Sequence, residues 1–372
     1  ESRYIPYCYY SIAWAYYEIK QYDITIDMFD RVINEFQLSN LAIKAGYDKG
    51  ECLYHIGRFQ EARKSLSSFL QNHPLNPRRQ EAYFLIGESS FELGEYNDAV
   101  TAYKEVGQGI SREKGNIALY KIGRSFFELG NYKSAIEYFN NCKEKTVDRK
   151  LISACLFGTG QSLQRLSKYD EAMEHYNLII ADHKDSEWID DAYYWMGEIL
   201  YRQKKYSDVI RVYNNALREF SKTELLGGFY YTRGWAYIGL GRDEDAILEF
   251  ERASRVSTNE EIAVGALCRI GETYKRLKKF DDAIKAYDRI LKEYQNSVWA
   301  DYAQYELATI LSSENNVDAA ILAFQALIVN FPKSNLLDKV HYKLGFLYQR
   351  KGDFQTAADQ FKETVEKFPN SL

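Results

Sequence analysis

The chain has 372 residues, 46% hydrophobic and 27% charged, which is enough apolar surface for a core and enough charge to keep it in water. A net charge of −5, a pI near 5.8 and the lack of any basic block exclude a nucleic-acid-binding surface built on phosphate contacts. No apolar run reaches the roughly 18 residues of a membrane-spanning helix, and only five prolines predict a mostly helical chain.

A fixed period organises the sequence from end to end. A small residue early in the second helix of each predicted hairpin serves as an anchor: Thr25, Ala62, Ala99, Ala135, Ala172, Val209, Ala246, Ala283, Ala320 and Ala357. Eight of the nine spacings are 37 residues and one is 36. In chain order the predicted hairpins run over 4–37, 41–75, 78–112, 114–148, 151–185, 188–222, 225–259, 262–296, 299–333 and 336–370. They form one all-α array, an α-solenoid of ten hairpins over 1–372.

Other positions repeat in step with the anchor. Twelve residues before it stands Gly50, Gly87, Gly123, Gly160, Gly197, Gly234, Gly271 or Gly345, with Ala13 and Ala308 in the other two repeats. Three before it is an aromatic in eight repeats, Tyr22, Phe59, Tyr96, Tyr132, Tyr169, Tyr206, Phe280 and Phe354. Four after it is another in nine, including Phe29, Tyr103, Phe139, Tyr176, Tyr213 and Phe250. Offsets of three, four and seven share one helical face. Small residues let two helices approach, and the rings are expected to fill the wedge between hairpins. One hairpin cannot cover its own apolar face, so neighbours stack, which accounts for most of the 32 tyrosines and 20 phenylalanines. Phe331-Pro332-Lys333-Ser334 and Phe368-Pro369-Asn370-Ser371 mark how a repeat ends: Pro stops one helix, and Ser or Asn can cap the next. Repeat seven, with Gly227-Gly228 and Asp243 in place of the aromatic, and repeat nine, with Ala308 and Val317, depart from the pattern. Sequence drift and partner-specific bends both account for them.

The third repeat reads AYFLIGESSFELGEYNDAVTAYKEV and the sixth AYYWMGEILYRQKKYSDVIRVYNNAL. Both resemble the tetratricopeptide repeat, and the resemblance covers essentially the whole chain. The unit of 37 residues exceeds the family's usual ~34 and is similar to the long repeats of bacterial envelope proteins of the BamD and YbgF/CpoB type. The resemblance implies a right-handed superhelix whose first helices line a concave groove, and a groove that takes an extended peptide or a partner helix.

In that frame, the position fifteen before the anchor points into the groove. It carries Tyr10, Tyr47, Phe84, Tyr120, Phe157, Tyr194, Tyr231, Tyr305 and Tyr342, with Cys268 the exception. One turn on come Glu51, Glu88, Glu198 and Glu272, with Trp14, Trp235 and Phe346 in other repeats. A further turn gives Glu18, Glu92 and Glu128, then Arg165, Arg202, Arg276 and Arg350. The expected groove is aromatic throughout, acidic early and basic late. Tyrosine offers contact area at small entropic cost, and the charge gradient would orient a ligand. The competing expectation is that the rings pack between neighbouring first helices and the charges pair across them. The carboxylate clamp of chaperone-tail receptors needs Lys and Asn where this chain has aromatics and Glu, so that mode is disfavoured.

No catalytic constellation is present in the sequence, and no cofactor or metal is expected. His55, His73, His175, His183 and His341 lie mostly in different repeats, and the spacing of His175 and His183 makes a poor metal pair. Isolated glycines inside helices exclude a phosphate loop. Carboxylate pairs such as Asp190-Asp191 open helices, where the helix dipole explains them. The five cysteines, Cys8, Cys52, Cys142, Cys155 and Cys268, match no zinc or redox spacing and are expected to be mostly buried thiols. The expected activity is non-catalytic binding of other proteins, in a bacterial periplasm or envelope or alternatively a cytoplasm. Regulation or targeting of an enzyme encoded beyond this sequence, and self-association, are the alternatives. Glu1 without a Met and an ending at Leu372 suggest a piece of a longer chain.

Overall fold

The computed structural model describes residues 4–107 and 110–369, and these form twenty α-helices. The first five hairpins pair α1 (Ile5–Glu18) with α2 (Tyr22–Glu35), α3 (Asn40–His55) with α4 (Phe59–Asn72), α5 (Arg79–Glu92) with α6 (Tyr96–Lys104), α7 (Arg112–Glu128) with α8 (Tyr132–Lys145), and α9 (Arg149–Arg165) with α10 (Tyr169–Asp182). The next three are α11 (Ile189–Arg202) with α12 (Tyr206–Glu219), α13 (Leu226–Gly239) with α14 (Asp243–Val256), and α15 (Glu260–Arg276) with α16 (Phe280–Glu293). The last two are α17 (Ala300–Ser313) with α18 (Val317–Asn330) and α19 (Leu337–Lys351) with α20 (Phe354–Lys367). Among the described residues the twenty helices pair as ten hairpins.

Each hairpin turns at the same place. The residue five before the anchor has a positive φ in all ten: Gly57, Gly94, Gly130, Gly241 and Gly352, but also Lys20, Ser167, Lys204, Lys278 and Asn315. A left-handed residue after the last helical turn lets its own N–H and the next one bond back into the helix. Gly94 thus donates to the Phe91 carbonyl and Glu95 to that of Ser90. Between hairpins, Ser186, Ser297 and Ser334 side chains accept from the backbone N–H two residues on, pinning the chain before the following helix. Asn370 and Ser371 lie outside the described residues.

Within a hairpin, the helices meet where glycine faces a ring. A Cβ built on Gly87, Gly123, Gly160, Gly234 or Gly271 would come within 2.6–2.7 Å of the ring four residues after that repeat's anchor. That ring fills the space a side chain would take, and Tyr103, Phe139, Tyr176, Tyr213, Phe250, Tyr287 and Phe324 are accordingly almost fully buried. The wedge role expected from sequence is therefore chiefly one within the hairpin, although Phe139 also faces Gly158 of the next. The ring three before the anchor closes the turn instead, against a first-helix ring: Tyr17 with Tyr22, Tyr54 with Phe59, Phe91 with Tyr96, Phe127 with Tyr132, Tyr201 with Tyr206.

The chain divides into two compact units, Glu1–Ala192 and Tyr193–Leu372. In the first, α3 touches both α1 and α5, and α7 touches α9; in the second, α13 touches α15. First helices therefore share one face of each unit, and every residue of the aromatic ladder lies on them. One second helix is anomalous: α6 has nine residues where α4 and α8 have fourteen. It belongs to the repeat whose spacing is 36.

Candidate functional site

Most ladder rings lean on the core ring of their own hairpin. Tyr10 meets Phe29, Phe84 meets Tyr103, Tyr120 meets Phe139, Phe157 meets Tyr176, Tyr231 meets Phe250, and Tyr305 meets Phe324, with centroids 5.6–6.0 Å apart. Tyr47 packs on Phe69 because its repeat has Leu66 at the core position, and Tyr194 packs on Phe229. One edge is thus spent on the core. What remains differs along the chain: Tyr47 and Phe157 are 3% and 5% exposed, Tyr342 is 49% exposed, and the other six are half-buried. The two buried rings have specific covers. The Arg78 guanidinium sits 4.5 Å over Tyr47, and Trp188 stacks on Phe157 at 4.7 Å.

Beside the ladder runs a seam that the sequence pattern did not reveal. The residue fourteen before the anchor reaches neighbouring hairpins, and its chemistry changes from repeat to repeat. Buried Asp48 accepts from the Tyr10 hydroxyl of the first hairpin and, at 2.8 Å, from Arg78 ahead of the third. Lys121 donates to Glu88 at 3.1 Å, and Glu88 also accepts from Tyr54 and Tyr103, joining three successive hairpins. Thr232 donates to Glu198 at 2.8 Å, and Glu306 accepts from Lys275. Arg269 lies between Trp235 at 5.1 Å and Trp299 at 5.7 Å, while pairing with Glu272 at 2.5 Å. Cation–ring contacts of this kind gain when partly desolvated.

The acidic and basic residues expected in the groove sort by depth. Glu88 is buried within the seam and Glu51 is half-buried, accepting from Tyr47 at 3.2 Å. Glu92, Glu128, Arg165, Arg202, Arg276 and Arg350 are exposed. Some of these are engaged: Glu128 with Arg124 at 3.2 Å, Arg276 with Asp243 at 2.7 Å, and Arg350 with the Asn315 side chain. Burial with a neighbouring carboxylate pushes the phenols of Tyr54 and Tyr194 up to about 12, and Tyr54 donates to Glu88. Burial also overrides the helix dipole at Asp191, whose carboxyl is pushed up to about 6, with Asp190 adding to the shift.

Among the described residues, no group of three or more His, Cys, Asp or Glu is placed to hold a metal ion. Four of the five cysteines are buried, whereas Cys8, on α1, is exposed.

An all-helical array whose first helices carry, in each unit, a face of aromatic and charged residues defines a helical-repeat interaction protein. The chain belongs to the tetratricopeptide repeat family: models of that description match residues 7–39, 47–112, 117–145, 154–186, 228–259, 268–335 and 339–371. Among solved structures it is similar to the C-terminal part of a tetratricopeptide-repeat-containing protein from Cytophaga hutchinsonii, at 16% identity and a TM-score of 0.55, over 68% of this chain and 96% of that one. It is also similar to a tetratricopeptide repeat protein from Parabacteroides merdae, at 20% identity and a TM-score of 0.45, over 71% of this chain and 98% of that one. The first of these is a likeness of fold. No curated protein matches the chain.

Proposed function

We propose that the chain is a non-catalytic scaffold that binds a peptide segment or helix of a partner protein along the first-helix face. Tetratricopeptide architecture supports a protein-interaction role in general. The observation that carries the finer reading is the unequal exposure of the ladder. Half-buried Tyr231 and Tyr305 and exposed Tyr342 keep ring surface beyond what the core uses. Exposed Arg350 stands two turns beyond Tyr342 on α19, and exposed Arg202 and Arg276 end the first helices α11 and α15. A rigid aromatic beside a solvated cation suits an extended segment carrying acidic residues. We place this scaffold in a bacterial envelope complex; the support for that compartment is the long 37-residue unit alone.

The test is site-specific photo-crosslinking in the cell that makes the protein. Benzoylphenylalanine at Tyr231, Tyr305 and Tyr342 should trap one common partner segment. At Leu248 and Leu322, exposed on second helices, it should not. Equal trapping at both sets, or none at the ladder, would overturn the assignment.

A further inference from the structure

The shortened α6 leaves a gap against the hairpin that follows it. In the neighbouring repeats the second helix continues through its tenth residue after the anchor; here it stops at Lys104, the fifth. The chain returns through Val106 and buried Ile110. Between α6, the start of α7 and the end of α8 lies a pocket of about 590 Å³. Its floor is apolar, made by Tyr103, Ala118, Leu119 and Ile122, and polar groups of Ser111 and Asn116 edge it. That volume falls within the range of ordinary ligand pockets, roughly 300–1,000 Å³.

Three cations line this pocket: Lys104 from the end of α6, Arg112 from the start of α7 and Lys145 from the end of α8. All three are exposed. Lys104 lies only against the rings of Phe126 and Tyr138, at 5.7 and 5.9 Å. Arg112 donates to the Lys145 backbone carbonyl at 3.0 Å. Among the described residues none of the three makes an ion pair with a carboxylate, in a chain that carries a net charge of −5. An apolar floor ringed by unpaired cations on three separate segments complements several spaced carboxylates rather than one headgroup.

We infer that this pocket is a second docking site, which takes an acidic segment of a partner protein by seating an apolar side chain between carboxylates that meet Lys104, Arg112 and Lys145. It is separate from the ladder, because it is formed where a second helix is cut short rather than on the shared first-helix face. An acyl chain with a single carboxylate would fill the floor but leave two of the cations without a partner.

The probe is a fluorescein-labelled peptide in which glutamate alternates with leucine and phenylalanine, run beside its glutamine counterpart and beside octanoate. Anisotropy should show saturable binding of the acidic peptide, weakened by added salt, and at least about tenfold weaker binding of the glutamine peptide. The double variant Lys104→Glu, Lys145→Glu should lose about tenfold or more in affinity. Gly115 lines the pocket, and a Cβ there would meet Ile110 at an ordinary 3.8 Å. Gly115→Leu should therefore fill the pocket and abolish binding while the circular-dichroism melting curve holds. Tyr305→Ser, on the ladder of the other unit, should leave binding unchanged. Failure of the acidic peptide to bind, indifference to the charge reversal or to Gly115→Leu, or binding of octanoate in place of the peptide would each overturn the inference.

Discussion

Inside a hairpin the two helices meet through a small residue at one offset, glycine in eight of ten, whereas the polar joins between neighbouring hairpins differ in chemistry from one junction to the next. Gly87, Gly123, Gly160, Gly234 and Gly271 all face a ring from the same register. Two positions earlier, Asp48, Lys121, Thr232, Arg269 and Glu306 do the joining with carboxylates, an ammonium, a hydroxyl and a guanidinium held between indoles. The difference follows from what each region must achieve. Helix approach within a hairpin is a steric problem with one economical answer, an absent side chain. Joining hairpins only requires that buried polar groups find partners, and many pairings satisfy that.

The largest expected effect breaks the steric side. Gly197 faces the ring of Tyr213, which is fully buried and donates its hydroxyl to the Tyr194 carbonyl at 2.9 Å, so the ring cannot swing aside. Gly197→Leu should cost about 3 kcal/mol by overpacking, read from urea unfolding. Gly46 is the contrast: its Cβ would meet Phe69 at an ordinary 3.5 Å. Gly46→Ala should be neutral or slightly stabilising, since alanine is the better helix former. Equal effects at the two positions would show that the register is not what excludes side chains.

The seam gives a smaller and more local effect. Asp48→Ala strips the acceptor from Tyr10 and Arg78 and should cost about 2 kcal/mol, as removing hydrogen bonds to a buried charge does. Repeat arrays open locally, so hydrogen exchange should quicken in α1 and α3 and stay unchanged beyond α7. Asp30→Ala, which breaks the partly exposed pair with Lys49, should cost no more than about 1 kcal/mol. If the two carboxylates cost the same, the seam is no more than surface pairing.

How much was legible follows the same division. The glycines, anchors and core rings repeat by residue type, so ten hairpins could be read from the amino-acid order alone. Asp48, Lys121 and Arg269 do not repeat by type, and a periodic search cannot align a carboxylate with a guanidinium. The ladder was legible as a row of rings but not in its depths, because Tyr47 and Phe157 are covered by Arg78 and Trp188, residues from the next hairpin whose approach depends on stacking. The single spacing of 36 was visible as well, but the pocket beneath the shortened α6 was not. A missing residue does not say which helix end retracts, or which cations then line the gap.

The hairpin turns unite both behaviours and give the smallest test. All ten adopt the same left-handed backbone, with φ between 58° and 80°, yet only five are glycine. A side chain in that region costs roughly 1–2 kcal/mol, while glycine's extra freedom in the unfolded chain offsets roughly 0.5–1. Lys278→Gly should therefore stabilise by about 0.5 kcal/mol, and Gly94→Lys should destabilise by a similar amount, about 0.5 kcal/mol. The space around Gly94 is open, with nothing within 4 Å of where a Cβ would stand, so backbone conformation alone is tested there. Opposite signs at the two turns, measured by thermal unfolding, would show that the non-glycine turns carry strain which the stacked helices on either side hold in place. The same sign at both would mean that lysine recovers the cost through its own contacts, and that the turns, like the seam, are solved differently from repeat to repeat.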